Sequence, residues 1–402
     1  MSITSYPLSP IEATIGEYTS KGRLKVSNPE VVFFNTFQYG IETDVWDTST
    51  ANGGSATFDA TISAVAMSVT STLNSECIRQ TINVQRYIPG RSSELTFAVR
   101  LQTPVVGVRR RFGLFDGEDG IYFEDNGGDY ACVMINSDGV TPTIERVSRA
   151  NWNGDKLDGA GGITADATKQ QIVCIDYEWY GGGQVIFSFI INGEKQVIHT
   201  FNTGNVLSVP WCKTPFLPIR LELKNTTGAS GTHYMYQGSN SLVIEGTTSR
   251  LGTLQNMLSP LAGVTLTTAN TFYPVLSIRT KSTRLKGVVL PLSFQAATLD
   301  NTNVFYKVIR NTTLNGTWVD VPDTDAFTQY NYTSTGAISG GIVLDSGYLP
   351  SGASSTIALP INANYQIGRS ALGTVSDTFT IAIAATNANK NGIASLTWVE
   401  QR

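Results

Sequence analysis

The dipeptide Asn192-Gly193 lies between two β-prone runs and constrains the chain more than any other short feature. A two-residue connection needing positive φ at both positions joins antiparallel strands in a tight hairpin, and Asn-Gly meets that need at low cost. Residues 171–202, QIVCIDYEWYGGGQVIFSFIINGEKQVIHTFN, hold three apolar runs joined by Gly181-Gly182-Gly183 and by this dipeptide, and so read as a three-stranded meander. On the first strand Val173, Ile175, Tyr177 and Trp179 share one face. The other face changes from Ile172 and Cys174 to Asp176 and Glu178, so the expectation is one core face and one that becomes wet at its far end. The second strand, residues 185–191, is apolar on both faces, which calls for cover on both sides and hence for a second layer.

The rest of the text repeats the β pattern. VVFFNTF, ATISAVAMSVTS, CIRQTINVQRYI and SELTFAVRL follow one another between turn residues such as Asn52-Gly53-Gly54 and Pro89-Gly90. No amphipathic helix of ordinary length interrupts them, which is the pattern of a sandwich or jelly roll. Residues 1–30, with Pro7, Pro10 and Pro29 and no periodicity, read as an extended N-terminal arm, held by another subunit or by its own chain. Residues 31–247 read as a first β-sandwich, 248–261 as a connector and 262–402 as a second β-sandwich, in which Asn315-Gly316 and Asn391-Gly392 look like tight turns. The expected fold class is all-β, with two β-sandwich or jelly-roll-like domains and an extended arm. The length of 402 residues and 41% hydrophobic content suffice for cores of that size.

Charge excludes some partners. A net charge of -4 gives no general attraction to phosphate, and no local basic surface stands out, so no nucleic acid is expected. No apolar run reaches the roughly 20 residues that span a bilayer, and MSITSYPLSP lacks a basic and apolar leader, so membrane insertion is not expected. Cys77, Cys132, Cys174 and Cys212 have no metal-site spacing and read as buried free thiols, in keeping with synthesis in a cytoplasm. His199 and His233 have no clustered partner.

Three groups of residues invite a chemical reading. Asp116, Glu118 and Asp119 share one glycine-rich turn, and Asp155 and Asp158 share a second polar loop. Carboxylates on such loops can hold Ca²⁺, although Asp and Gly are also the ordinary turn formers and the EF-hand alternation is missing. Arg109, Arg110 and Arg111 alternate across a strand, so at least one must meet a sheet interior or another chain, and ion pairing to Asp176 or Glu178 is the expected outcome. Trp152, Tyr177, Trp179 and Tyr180 could stack against a sugar, the alternative being core packing.

VRRRFGLFDGEDGIYFE, NWNGDKLDG, KQQIVCIDYEWYGGGQVIFSFIINGE and TPFLPIRLELKN, followed by NTFYPVLSIRTKSTRLKGVVLP, SDTFTIAIAATN and SLTWVEQ, resemble stretches of virion structural proteins of tailed bacteriophages, of the cyanophage and marine phage type. The resemblance spans roughly residues 80–400 and implies a place in a particle, with no active-site residues to carry over. It implies a virion location, other virion proteins as partners and homo-oligomeric assembly. The sheets also resemble concanavalin-type, lectin-like sandwiches in architecture, from which function does not follow.

No catalytic motif is present: there is no GxSxG, Walker loop or HExxH. Asp176 and Glu178, two apart on one strand face, could in principle flank a glycosidic bond. The reading that follows is a non-enzymatic structural subunit, a fibre, neck, tail or capsid-decorating component with no catalytic residues and no required cofactor. A glycan-binding adhesin reading a host surface glycan is the alternative, and a depolymerase a third class.

Overall fold

A computed structural model describes residues 19, 22, 24, 25, 27–137, 142–247, 252–349, 355–358 and 365–401. Strands and turns make up these residues, with helical geometry confined to short 3-10 turns such as Ser282–Arg284. The strands of the first half are β1 (Pro29–Asn35), β2 (Trp46–Ala51), β3 (Ser55–Asp59), β4 (Ala64–Val69), β5 (Ser75–Thr81), β6 (Ser93–Arg100), β7 (Val108–Phe115), β8 (Gly120–Asn126), β9 (Asp129–Ser137), β10 (Pro142–Ser148), β11 (Gln171–Tyr177), β12 (Val185–Ile191), β13 (Glu194–Phe201), β14 (Ile219–Asn225) and β15 (His233–Glu245). Those of the second half are β16 (Thr253–Leu258), β17 (Val264–Leu266), β18 (Tyr273–Thr280), β19 (Val288–Thr298), β20 (Val304–Arg310), β21 (Val319–Asp320), β22 (Thr328–Asn331), β23 (Ile342–Leu349), β24 (Ser355–Ala358), β25 (Thr378–Ala385) and β26 (Lys390–Gln401). The all-β expectation holds.

Two antiparallel sheets build the first half. One runs β13-β12-β11-β6-β15-β4-β3, with β1 beside the second part of β15, and the other runs β10-β9-β8-β7-β14-β5-β2. The meander forms as its turn chemistry requires, with Asn192 at φ 55° and Gly193 at φ 83°. Val173, Ile175 and Tyr177 enter a core shared by both sheets. Aromatic contacts cross between the layers: Phe97 of β6 meets Phe112 of β7 edge-on at 5.3 Å, and Phe189 of β12 meets Phe123 of β8 at 5.6 Å. Such pairs each add about 0.5–1.5 kcal/mol beyond the area they bury.

The outer face of β11 behaves opposite to expectation. Ile172 is 42% exposed, whereas Cys174, Asp176 and Glu178 are buried. Two lysines, Lys25 from the N-terminal segment and Lys195 from β13, close over Asp176 and replace the water it would otherwise need.

In the second half, the order β16-β26-β19-β24, with β17 also on β26, faces a sheet ordered β21-β22-β18-β25-β20-β23. Leu266, Phe294 and Trp398 of the first layer share a core with Ile278, Val308 and Ile381 of the second. On β25 both faces are buried, because the strand lies between β18 and β20 and the alternate residues Thr380, Ala382 and Ala384 are small enough to be shielded by their neighbours. Two further expectations change. Within the stretch 248–261 read as a connector, β16 pairs along its length with β26, while residues 248–251 lie outside the described residues. Asn391-Gly392 makes no turn: it lies within β26, paired with β17 and β19, and the chain reverses just before it, at Asn389 with φ 55°.

Most of the N-terminal arm, residues 1–18, lies outside the described residues. Its described end folds onto its own chain: Lys25 reaches Asp176, Ser27 Oγ donates to Glu245 at 2.6 Å, and Pro29 and Glu30 already belong to β1.

The halves meet over the outer face of the seven-stranded sheet, where Asp47, Gln80, Arg220 and Glu222 alternate with inward core residues. The Ala371 N–H donates to Asp47 Oδ2 at 2.7 Å, the Arg220 guanidinium donates to the Ala371 carbonyl at 3.1 Å, and the Arg369 N–H donates to the Ile82 carbonyl at 2.9 Å. Val84, Val288 and Leu290 form a small apolar cluster at the same contact, with Phe216 against it. Gly368 belongs here because a Cβ at that position would stand 2.4 Å from the Ile82 side chain.

All four cysteines are buried and unpaired. Burial pushes the Cys77 thiol up to about 12 and Cys174 up to about 11, and holds Cys132 and Cys212 well above the ordinary value. The thiolate is the reactive form. Ellman titration of the native chain at pH 8 is therefore expected to find no fast-reacting thiol, and all four in denaturant; one rapid native thiol contradicts the packing described.

Candidate functional site

The arginine run separates by strand parity. Arg110 points with Val108 and Phe112 into the first core, at 1% exposure, and pairs there with Asp125, at 0%, across 2.7 Å. Its other donors reach the Tyr234 and Thr103 carbonyls. Burial pushes the Asp125 carboxyl up despite the guanidinium beside it, so desolvation outweighs the ion pair.

Arg109 and Arg111 take the outer face. Arg111 pairs with Glu124 at 2.7 Å and lies 3.7 Å from Glu222, Arg146 bridges Glu124 and Asp129 at 2.8 Å each, and Arg220 meets Glu222 at 2.6 Å. Burial and the neighbouring Arg111 charge hold half-buried Arg109 below the usual arginine value. Thus the expected partners Asp176 and Glu178 are replaced by Asp125, Glu124 and Glu222. The reason is hairpin register: β7 and β8 pair Arg110 with Asp125 and Arg111 with Glu124 directly, whereas Asp176 and Glu178 belong to the other layer.

Asp176 lies opposite Glu94 in the ladder between β11 and β6. Lys195 Nζ approaches Asp176 at 2.6 Å and Glu94 at 2.8 Å, and Lys25 Nζ approaches them at 2.8 and 3.2 Å. Burial raises the Asp176 carboxyl, while at Glu94 burial is outweighed by the two ammoniums, which hold it down at about 2. Both ammoniums are raised by the same carboxylates. Glu178 is buried and lines a small cavity together with Thr19, Ser27 and Arg91.

The carboxylate turn ties the first half of the chain to the second. Asp116 Oδ1 accepts the N–H groups of Glu118 and Asp119 at 2.9 Å, which fixes the turn. Its other oxygen meets Arg369 at 3.2 Å and Lys286 at 3.4 Å, while Lys286 also reaches Glu118 at 3.0 Å and Asp119 at 2.6 Å. Burial would raise Asp116, but Arg369 and Lys286 prevail and lower it. Two cations of the second half thus pair with the carboxylates that the sequence offers as Ca²⁺ ligands. Asp155 and Asp158 serve their own loop, accepting the Leu157 N–H at 2.6 Å and the Ala160 N–H at 3.0 Å. Among the described residues no group of three metal-ligating side chains comes together.

The four aromatic residues do not form one platform. Trp152 is buried against Phe123 and donates to the Val147 carbonyl, and Tyr177 is buried against Tyr87. Tyr180 is 52% exposed, at φ 37°. Trp179 is partly buried, its indole N–H donates to the Cys212 carbonyl at 3.0 Å, and its edge meets Tyr87 at 6.2 Å. It lines a cleft of about 1250 Å³ between the halves, together with Phe216, Lys213, Arg284 and Lys286. His199, buried at the edge of Phe201, accepts the Asn153 N–H at 3.4 Å and is lowered by burial.

No family model and no curated protein matches the chain. Among solved structures, similarity is found to a cellulose induced protein, Cip1, at 14% identity over 55% of this chain and 99% of that one, with a TM-score of 0.35. A legume lectin-like domain from Entamoeba histolytica matches at 12% identity over 52% and 96%, with a TM-score of 0.32. The CBM2 module of the evolved Dit of Lactobacillus casei BL23 phage J-1 matches at 11% identity over 56% and 99%, with a TM-score of 0.34. At these scores the likenesses add nothing to what the sheets themselves establish. Among the described residues no helix is long and apolar enough to cross a membrane.

Proposed function

We propose that this chain is a non-enzymatic structural subunit of a tailed-phage virion that assembles through strand edges, with other virion proteins and further copies of itself as partners. The observation that carries the reading is a groove of about 530 Å³ between edge strands β1 and β23. Val31 and Phe34 on one side, the latter 71% exposed, and Ile342 and Val343 on the other leave large apolar surface in water. Exposed apolar edges of this kind are aggregation hazards unless a partner covers them. The non-enzymatic part is supported by Asp176, whose carboxylate is already held by two ammoniums. The phage part rests on the sequence stretches that resemble virion structural proteins.

The test is incorporation. A tagged chain supplied during infection is expected in purified particles, and the variant Phe34→Asp/Ile342→Asp, folded by circular dichroism, is expected to drop at least tenfold in particle-bound signal. A chain missing from purified particles would sink the virion reading, and undiminished incorporation of the variant would sink the edge-strand mode of assembly.

A further inference from the structure

We infer that the cleft between the two halves is a binding site for an acidic oligosaccharide, a function separate from assembly at the β1 and β23 edges. Its charges do not cancel. Lys286 and Arg369 are committed to Asp116, Glu118 and Asp119, whereas Lys213 and Arg284, which also line the cleft, have no carboxylate within ion-pair distance among the described residues. Both are exposed. They come from opposite halves, so an anion in the cleft can be approached from both walls.

The backbone under Lys213 is fixed: its N–H donates to Asp119 Oδ1 at 2.9 Å. Arg284 stands at the end of the 3-10 turn Ser282–Arg284, whose hydroxyls Ser282 and Thr283 also line the cleft. The same cleft is lined by Trp179, its indole anchored to the Cys212 carbonyl and its ring only partly covered. A partly open, immobilised indole offers an apolar face at little ordering cost. A flat apolar wall, hydroxyls and two uncommitted cations suit a chain of pyranose rings bearing carboxylates, since each ring has an apolar face and a polar rim. The volume of about 1250 Å³ exceeds the roughly 300–1,000 Å³ of an ordinary small-molecule pocket, which favours an extended ligand.

The experiment uses the full chain, with a uronate hexasaccharide as probe and cellohexaose as neutral control, read by calorimetry and tryptophan fluorescence. The expected result is uronate binding that quenches fluorescence, weakens at least tenfold between 50 and 500 mM salt, and falls at least tenfold in Lys213→Glu/Arg284→Glu. Both substitutions are at exposed positions, so the variant should retain the parent's thermal midpoint within about 2 °C. Three results overturn the inference: no uronate binding, cellohexaose binding equally well, or the charge-reversed variant binding as the parent does. Tighter binding of a polyglutamate peptide than of the uronate overturns the saccharide assignment in the same way. None of these outcomes bears on particle incorporation.

Discussion

Arg110→Met is expected to destabilise the first sandwich by about 3–5 kcal/mol at pH 7, the usual cost of removing one partner from a buried ion pair. Methionine fills much of the arginine volume, so the loss comes from the charge left behind and not from a cavity. Asp125 would remain at 0% exposure with the Gly128 N–H, 2.7 Å away, as its remaining described donor. The sign of the pH dependence follows. Burial already holds the folded Asp125 carboxyl above its ordinary value, and loss of Arg110 raises it further, so the folded variant keeps a proton that the unfolded chain releases. The deficit is therefore largest at neutral pH and shrinks as pH falls through the folded pKa toward that of the unfolded chain. Urea titrations at pH 7 and pH 5 measure it, with Arg111→Met as comparison. Arg111 is part-exposed on the outer face, so its removal should cost on the order of 1 kcal/mol. An Arg110 variant within 1 kcal/mol of the parent at pH 7 would falsify the assignment of this pair to a sealed core.

The second large effect is expected at the contact between halves. Lys286→Met/Arg369→Met removes both cations from Asp116 and Asp119, which are buried in the same contact. With two buried carboxylates left without a cation, the contact loses its ionic anchor and is weakened, leaving backbone and side-chain hydrogen bonds such as those of Asp47, Gln80 and Arg220 and the small Val84, Val288 and Leu290 cluster to hold it. Calorimetry should then split one cooperative transition of the parent into two, one for each sandwich. Limited proteolysis should gain cleavage between β15 and β16. The idea fails if the double variant keeps a single transition within about 2 °C of the parent.

These two ionic sites differ in how visible they were beforehand. Arg110 and Asp125 belong to one hairpin closed by the 116–119 turn, and counting back from Phe115 opposite Gly120 places them opposite each other. The alternation rule had already sent one arginine of the run into an interior; what it lacked was this register count, and the carboxylates chosen instead lay in the other sheet. Lys286 and Asp119 are 167 positions apart, and no local pattern connects them. Lys25 and Asp176 are 151 apart, with the same consequence. The wet end expected for β11 became its sealed end for that reason: periodicity reports which residues share a face, not what another segment lays over it.

The candidate aromatic residues make the same point. Parity put Tyr177 and Trp179 on the core face, and both are packed there, yet Trp179 also lines the cleft because it stands just past the end of β11 and the second half closes the far wall. Its neighbours Lys213 and Arg284 carried no sequence signal, since an exposed cation gains meaning only from what stands across from it.

By itself the sequence determined the elements: positive φ at Asn192-Gly193, alternation along the strands and unpaired cysteines in apolar runs are local properties, decided within a few residues by backbone sterics and side-chain parity. The tertiary structure alone decided which charges of distant segments are sealed together, that β16 completes a sheet instead of linking two, and where the halves leave a cleft. Those outcomes depend on free energies of desolvation and pairing between residues more than a hundred positions apart, and that information exists only once the layers have stacked.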